Sequence, residues 1–426
     1  MNILLIGSGG REHALAWALS KSPSCDKIYS LPGNPGIWQI SSKVLIPLSK
    51  SKEIADYCKR NSIDLVVIGP EQPLADGLSD ELRENGIIVF GPSKASARLE
   101  YSKGFAKDFM AKYNIPTANY KKFNKDQKTE IYEYISNQNY PIVIKADGLA
   151  AGKGVVIANS YNEAQITIKD MFSGKFKDAG YNIVIEEYLE GEEASVLAVC
   201  DGRNYVTLAP AQDHKRIFDN DEGPNTGGMG SYSPAPIVTN DVLEKVKNQI
   251  LTPAIEGMRK EGTPFIGCLY AGLMIKDGEP KVVEFNVRFG DPETQSVLTV
   301  FDGDFCQLLY SASVGELDVS SIKNVAKDYS CCVVASSKGY PESFNSGFDI
   351  VGIDSAQNEG AIVFHAGTAL SNGKLVTSGG RVLGVTATAT SLQEAIDKAY
   401  CAIAKINFDN IYYRKDIGKK ALISKF

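Results

Sequence analysis

Glu284 and Asn286 stand two residues apart in the run Val282–Val287, and Arg288 follows directly. The run is rich in β-branched and aromatic residues, so it reads as a strand. Side chains alternate faces along a strand, which puts the carboxylate of Glu284 and the amide of Asn286 on one side. Val283, Phe285 and Val287 are then expected on the opposite, apolar side. Two hard oxygen donors suit a Mg²⁺ that also carries a nucleotide phosphate, because Mg²⁺ takes one or two carboxylates and completes its shell with phosphate and water. A polar edge strand facing water would hold the same two residues without any chemistry. The segment Arg288-Phe-Gly-Asp-Pro-Glu-Thr-Gln295 favours the site, because it gathers charged and polar side chains at the strand end. Ligands of α/β proteins usually lie there.

Four further clusters invite chemistry. Gly7-Ser-Gly-Gly-Arg-Glu-His13 follows a short apolar strand and opens a helix. Glycines let the backbone approach a phosphate, and a helix start offers unpaired N–H groups. Glu12 occupies the third glycine position of a dinucleotide fingerprint, which disfavours a nicotinamide cofactor and leaves a small phosphorylated ligand or a plain tight turn. Asn34-Pro-Gly36 and Gly69-Pro-Glu71 end later elements and can complete that pocket. Gly148-Leu-Ala-Ala-Gly-Lys-Gly154 is one residue short of a Walker A loop and has Gly154 where a hydroxyl residue would touch Mg²⁺. It reads as a flap over a triphosphate, with Lys145 on the preceding strand as a phosphate contact, or as a simple Gly hairpin. Glu186 to Glu193 holds five acids in eight residues, ordinarily a solvated turn. With Tyr188 and Leu189 among them, it can instead form a hinge whose backbone pairs with an adenine edge while Glu193 takes ribose hydroxyls. The Gly-rich loop around Asn225–Gly230, preceded by Gln212-Asp-His-Lys-Arg216, suits a very small substrate or an irregular connection. With 3 His and no G-x-S-x-G elbow, a Ser-His-Asp hydrolase lacks support.

The elements that must position these clusters follow from the apolar pattern. Strands at Asn2–Ile6, Ile63–Ile68 and Gly86–Phe90 alternate with helices such as Arg11–Ser20, predicting an N-terminal parallel α/β, Rossmann-like domain over 1–101. Ser93 is expected to cap one helix from Lys94 to Tyr113. Strands at Tyr140–Lys145, Val155–Ala158 and Ile183–Glu187 with a helix near Asn162–Phe172 form a small α+β lid over about 120–190. Antiparallel strands at Ala194–Cys200, Tyr205–Ala209, Ile266–Ile275 and Lys281–Val287, with a helix over Asn240–Glu261, complete a domain over 102–325. A C-terminal mixed β/α domain, 326–426, holds strands at Cys331–Ser336, Ala361–His365 and Val382–Thr388 and a helix at Ser391–Ile406. The chain is thus read as α/β and α+β multidomain, as its 426 residues suggest.

A net charge of −6 argues against nucleic acid as the main partner. It leaves room for anionic small substrates held by local Lys, Arg and helix N-termini. The eight cysteines include no C-x-x-C pair, and several sit in apolar runs, which fits a reduced cytoplasmic setting without a zinc site. No signal peptide and no apolar stretch near the ~20 residues of a membrane span is found, so no membrane partner is expected.

Together, Gly7–His13, Asn34–Gly36, Gly69–Glu71, Ile144–Gly154, Glu186–Ser195, Gln212–Arg216, Asn225–Gly230 and Glu284–Gln295 resemble the ATP-grasp carboxylate–amine ligases. More narrowly, Arg288-Phe-Gly-Asp-Pro-Glu-Thr-Gln295 is similar to the signature of the phosphoribosylamine–glycine ligase (glycinamide ribonucleotide synthetase) family. The resemblance covers about three quarters of the chain and gives the last hundred residues no chemistry. It implies an ATP-grasp domain with a lid, ATP as co-substrate, Mg²⁺ or Mn²⁺, and glycine and 5-phosphoribosylamine as substrates. A monomer or weak homodimer is expected. On that resemblance Glu284 and Asn286 hold the metal, Lys103 and Lys145 neutralise phosphate, and Lys153 and Gly154 belong to the closing flap. Glu186, Glu187, Tyr188 and Leu189 line the adenine site and Glu193 the ribose. Asp213 with Gly227, Gly228 and Met229 holds glycine or the incoming amine. Gly9, Gly10, Arg11 and Glu12, with Asn34, Gly36 and Glu71, hold phosphoribosylamine. Arg288, Lys145 and Asp213 are the candidate catalytic residues. The competing readings are an ATP-grasp ligase for other substrates and a non-catalytic nucleotide-binding module.

Overall fold

The first strand, Asn2–Gly7, buries four consecutive apolar residues, because both faces of its sheet are covered. Leu4 and Ile6 join one core, and Ile3 and Leu5 join another. This is a computed structural model that describes residues 1–148, 154–175 and 181–423. The N-terminal sheet is wholly parallel, in the order Ser42–Lys43, Lys27–Pro32, Asn2–Gly7, Leu65–Ile68 and Val89–Phe90. Its strand order reverses beside Asn2–Gly7, so the Gly7–Glu12 and Gly69–Glu71 turns flank the crevice where open α/β sheets bind ligands. The expected Rossmann-like domain is borne out.

A central antiparallel sheet follows, in the order Tyr205–Thr207, Glu192–Asp201, Ile266–Lys276 and Glu279–Asn286. Asp277 and Gly278, both at positive φ, make the tight hairpin turn between the last two strands. Pairing runs Leu273 to Val282 and then Gly272 to Glu284, so Val283 is an extra, unpaired residue. This bulge corrects the simple alternation read from the sequence. Val282, Phe285 and Val287 pack in the core, whereas Val283 does not. One inserted residue shifts the pleat parity and turns the Val283 carbonyl toward the lid.

The lid is a separate antiparallel sheet, ordered Tyr120–Asn124, Asn182–Glu187, Ile142–Ala146 and Val155–Ala158. Helices Lys128–Ser136 and Tyr161–Asp170 pack on it, and Ile131, Ile135, Ile144, Ile168 and Ile185 give it a core of its own. A third antiparallel sheet pairs Gln212–Asp213, Gly230–Ser233, Tyr329–Ser337, Arg381–Ala389 and Ile362–His365. Its first two strands lie about a hundred residues before the rest, so the Asp213 and Gly230 segments are tied to the C-terminal strands.

The single helix expected over Lys94–Tyr113 is two, Lys94–Tyr101 and Lys103–Lys112. Ser102 is extended (φ −125, ψ 103), and its hydroxyl accepts from the Phe105 N–H. Ser and Asn-type side chains offer the backbone this alternative to a continuous helix. The break makes Lys103 the first residue of a new helix. No helix among the described residues is long and apolar enough to cross a membrane.

Candidate active site

The three antiparallel sheets meet around a cavity of about 570 Å³. Glu284 lies on its wall, and the Lys103 ammonium sits 3.0 Å from its carboxylate. The charge of Lys103 outweighs burial and holds Glu284 well below the usual carboxylate range, with Lys215 and Lys145 adding to the effect. Asn286 accepts a 3.4 Å hydrogen bond from Arg288. The guanidinium of Arg288 also meets Glu100 at 2.9 Å and Glu71 at 3.4 Å. Burial would raise Glu71, but Arg288 and Arg11 overcome it and hold Glu71 low. Burial pushes Glu100 up, and its second oxygen accepts from the Val287 N–H at 2.8 Å. Arg288 is thus fixed between acids from two helices, with one edge on the cavity.

Lys145 is buried on the lid sheet, donates to the Val283 carbonyl at 3.0 Å and pairs with Glu186 at 2.9 Å. Lys107 meets the other oxygen of Glu186 at 2.9 Å. Burial drives Lys107 down to about 8, although Glu186 opposes the shift. The Glu186 carboxylate is therefore spent on two lysines. Glu187 is held by the backbone and side chain of Asn119, Tyr188 is exposed and Leu189 half-buried. Gly148 and Gly154 line the cavity. Lys153, with the centre of the expected flap (149–153), lies outside the described residues.

Across the cavity, Asp213 and Lys215 stand side by side. Burial raises Asp213 to about 7, Lys215 opposes this, and Glu293 and Glu193 add to it. Lys215 in turn pairs with Glu193, and the acids around it hold it charged against its burial. Glu293 is buried and accepts from the Tyr270 hydroxyl at 2.7 Å, which accepts from Ser195 at 2.6 Å.

The first-strand turn is organised differently. The Glu12 carboxylate accepts from the Gly9 N–H at 2.6 Å and from Arg11 at 2.6 Å. Gly7 has φ +126, and a Cβ there would lie 2.4 Å from Glu12, so the turn closes on its own acid. Arg11 and Glu71 reach the cavity, whereas Gly9, Gly10 and Glu12 stand behind it. Asn34 is buried, donating to the Ser8 and His365 carbonyls and accepting from Gly36 and Ile37. Gly36 lies against His13 and His365, where a Cβ would clash. Gly227 lines the cavity, Gly228 (φ +111) packs on Pro292, and the Met229 side chain is fully buried.

Sequence reasoning missed Lys107, Tyr270, Tyr340 and Arg381. Lys107 is one helical turn after Lys103, a spacing that puts both on one face. Tyr340 and Arg381 gave no local signal; only the fold brings them to the cavity.

Among the described residues no cluster of three or more His, Cys, Asp or Glu could hold a metal by itself. A carboxylate held ionised and an amide oxygen are a donor set that fits Mg²⁺ only when phosphate completes it.

An antiparallel sheet carrying a Glu-x-Asn pair, faced by a smaller sheet that offers a lysine, defines an ATP-grasp enzyme. The family models for phosphoribosylglycinamide synthetase match almost end to end: the N domain over 1–100, the ATP-grasp (A) domain over 101–294 and the C domain over 330–420. The chain is 49% identical over 423 residues to the phosphoribosylamine–glycine ligase of Clostridium acetobutylicum, covering 98% of this chain and 100% of that one. It is 47% identical over 423 residues to the protein of that name from Rhizobium meliloti, covering 99% of each. The crystal structure of phosphoribosylamine–glycine ligase from Thermotoga maritima superposes with a TM-score of 0.86 at 36% identity, over 98% of this chain and 100% of that one. The chain belongs to the phosphoribosylamine–glycine ligase family, ATP-grasp ligases of purine biosynthesis.

Proposed function

We propose that this chain joins glycine to 5-phosphoribosylamine, giving glycinamide ribonucleotide, ADP and phosphate. The observation that carries the reading is Glu284, held ionised beside Lys103 on the wall of a cavity to which all three antiparallel sheets contribute. A carboxylate is a poor electrophile. A glycine carboxylate oxygen therefore takes the γ-phosphoryl group of ATP, and ADP leaves. The amine of phosphoribosylamine then attacks the glycyl carbonyl, and phosphate departs as the C–N bond forms. Such transfer needs positioning and charge neutralisation more than a protein nucleophile.

Glu284 and Asn286 would hold Mg²⁺ (or Mn²⁺), which when bound neutralises charge on the ATP phosphates. Lys103 and Lys145 supply positive charge to the same phosphates. Glu187, Tyr188 and Leu189 form the adenine hinge; Glu186 acts from behind by holding Lys145, and Glu193 meets the ribose. Lys153 and Gly154 belong to the flap that excludes water from the acyl phosphate. Arg288, fixed by Glu71 and Glu100, stabilises the transferring group or the glycine carboxylate. Asp213, raised by burial to about 7, accepts the proton that the attacking amine sheds. Gly227 offers backbone to glycine, and Gly228 and Met229 set that loop. Phosphoribosylamine lies toward Arg11 and Glu71, at the end shaped by Gly9, Gly10, Glu12, Asn34 and Gly36.

The test is ADP release by the full chain with Mg²⁺, ATP, glycine and phosphoribosylamine generated in place. Release that requires both glycine and the sugar amine supports the reading. Release with other carboxylate–amine pairs, or ATP binding without release, overturns it.

A further inference from the structure

The C-terminal strands reach into the cavity through one side chain that bonds to two separate segments. Arg381 opens the strand Arg381–Ala389. Its Nη1 donates to the Gly227 carbonyl at 2.6 Å and to the Asp291 carbonyl at 2.7 Å, and its Nη2 donates to the Asp291 carboxylate at 2.8 Å. Two segments 64 residues apart (291 less 227), the Gly-rich loop and the turn after Arg288, are thereby clamped by one planar fork. A fork can hold several oxygens in fixed directions, which a lysine ammonium on a flexible stem cannot.

The neighbouring residues are arranged to deliver that fork. Tyr340 accepts from the Gly227 N–H at 2.9 Å, so both polar groups of the Gly227 peptide region are taken by C-terminal side chains. Tyr340 packs against Gly380, where a Cβ would sit 2.2 Å from its ring. The preceding turn is pinned: Ser337 donates its N–H to Gly380 and its hydroxyl to Gly379, and Gly367 donates to Arg381. Within its own stretch the Gly227 loop is tied back through Thr226, which donates to Lys215. The loop is therefore held from two sides, by Lys215 of the central region and by Arg381 with Tyr340.

We infer that Arg381, assisted by Tyr340, is a positioning residue for the ligase, setting the Gly227 loop against the Asp291 turn. The inference rests on the proposed function for its kinetic readout. It assigns the last hundred residues a part in the chemistry of the non-nucleotide substrates. Among the described residues no hydrogen bond or ion pair joins Arg381 to Lys103, Lys145 or Glu284, so its effect is expected on the non-nucleotide substrates rather than on ATP.

The experiment compares the full chain with Arg381→Ala, Arg381→Lys and Tyr340→Phe, varying ATP, glycine and phosphoribosylamine in turn. Arg381→Ala is expected to lower kcat/KM for glycine or the sugar amine about 30- to 100-fold, the scale of an ångström-sized misplacement. KM for ATP stays within about twofold, and added guanidinium restores part of the rate. Arg381→Lys recovers little, and Tyr340→Phe loses about three- to tenfold, as for one hydrogen bond. A matching rise in the KM for ATP, or wild-type kinetics in both Arg381→Ala and Tyr340→Phe, overturns the inference. If Arg381→Ala does not fold, Tyr340→Phe decides, since it removes one hydroxyl only. Amide exchange at 225–229 gives a readout independent of turnover: it should quicken in the variants, and unchanged protection counts against the clamp. If the wild type shows no ligation, the proposed function falls and this exchange result alone judges the clamp.

Discussion

Lys103 and Lys107 lie one turn apart on the same helix, and each meets a glutamate from a strand, yet the two pairs have opposite surroundings. Lys107 and Glu186 are 3% and 4% exposed, and Glu186 is shared with Lys145. Lys103 and Glu284 are 16% and 27% exposed and form part of the cavity wall. The same chemistry therefore serves two ends. Around Lys107, where the charges are buried, they brace the lid sheet against the helix that carries it. Where the cavity opens, they line its wall, and on the proposed function they are shared with phosphate and metal. Burial, rather than residue type, separates the brace from the site.

The largest expected effect sharpens this contrast on the closed side. Glu186→Gln leaves two buried lysines without their counter-charge, and unfolding in urea should cost about 3–5 kcal/mol less. A loss under about 1 kcal/mol would erase the distinction. On the open side, Glu284→Gln should lower kcat at least ~100-fold at saturating Mg²⁺, the size of a lost transition-state electrostatic contact. Its loss of stability should be smaller than that of Glu186→Gln, because this pair keeps part of its hydration; near-normal turnover would remove Glu284 from the metal site.

The two lysines should also answer alkali differently. Burial lowers Lys107 to about 8, whereas Glu284 and its neighbours overcome burial and raise Lys103. Between pH 8 and 10.5 the unfolded chain keeps a proton on Lys107 that the folded chain releases. The contribution of Lys107 therefore rises with pH across that window, by at most about 1.4 kcal/mol per pH unit, and is lost as pH falls through 8. The contribution of Lys103 is complete below 10.5 and is lost only above it. Denaturation series at several alkaline pH values should show Lys107→Met flattening an upward slope that Lys103→Met preserves. Equal slopes in both variants would mean that the two environments do not differ.

The smallest effect concerns Glu12, a second acid of the closed kind. Glu12→Gln weakens the bonds to the Gly9 N–H and Arg11 and should cost about 1 kcal/mol, as for a lost cap. KM for ATP should not change. A tenfold rise in KM for the sugar amine at unchanged stability would move Glu12 into the open class.

Much of this was readable in the chain, and the failures have physical causes. Glu284 and Asn286 were legible because a strand announces its alternation. Val283 was placed on the wrong face because a bulge leaves no mark in a run of similar residues. The break at Ser102 was missed because Ser is tolerated inside a helix and favoured at its start. Glu12 signalled a departure from a dinucleotide fingerprint, but only the structure revealed that it fills its own turn. Lys107, Tyr340 and Arg381 owe their roles to partners 79 to 154 positions away, which no local pattern encodes.

The cavity wall draws on residues from Arg11 to Arg381, with both ends of that span held in place by contacts distant in sequence. Loop closure over such separations comes late, after local helices and hairpins have formed. The lid, with its compact core and neighbouring strands, can assemble early. On refolding from denaturant, helical signal should thus return before ligase activity, and chains caught between the two stages hold their catalytic groups on separately folded pieces.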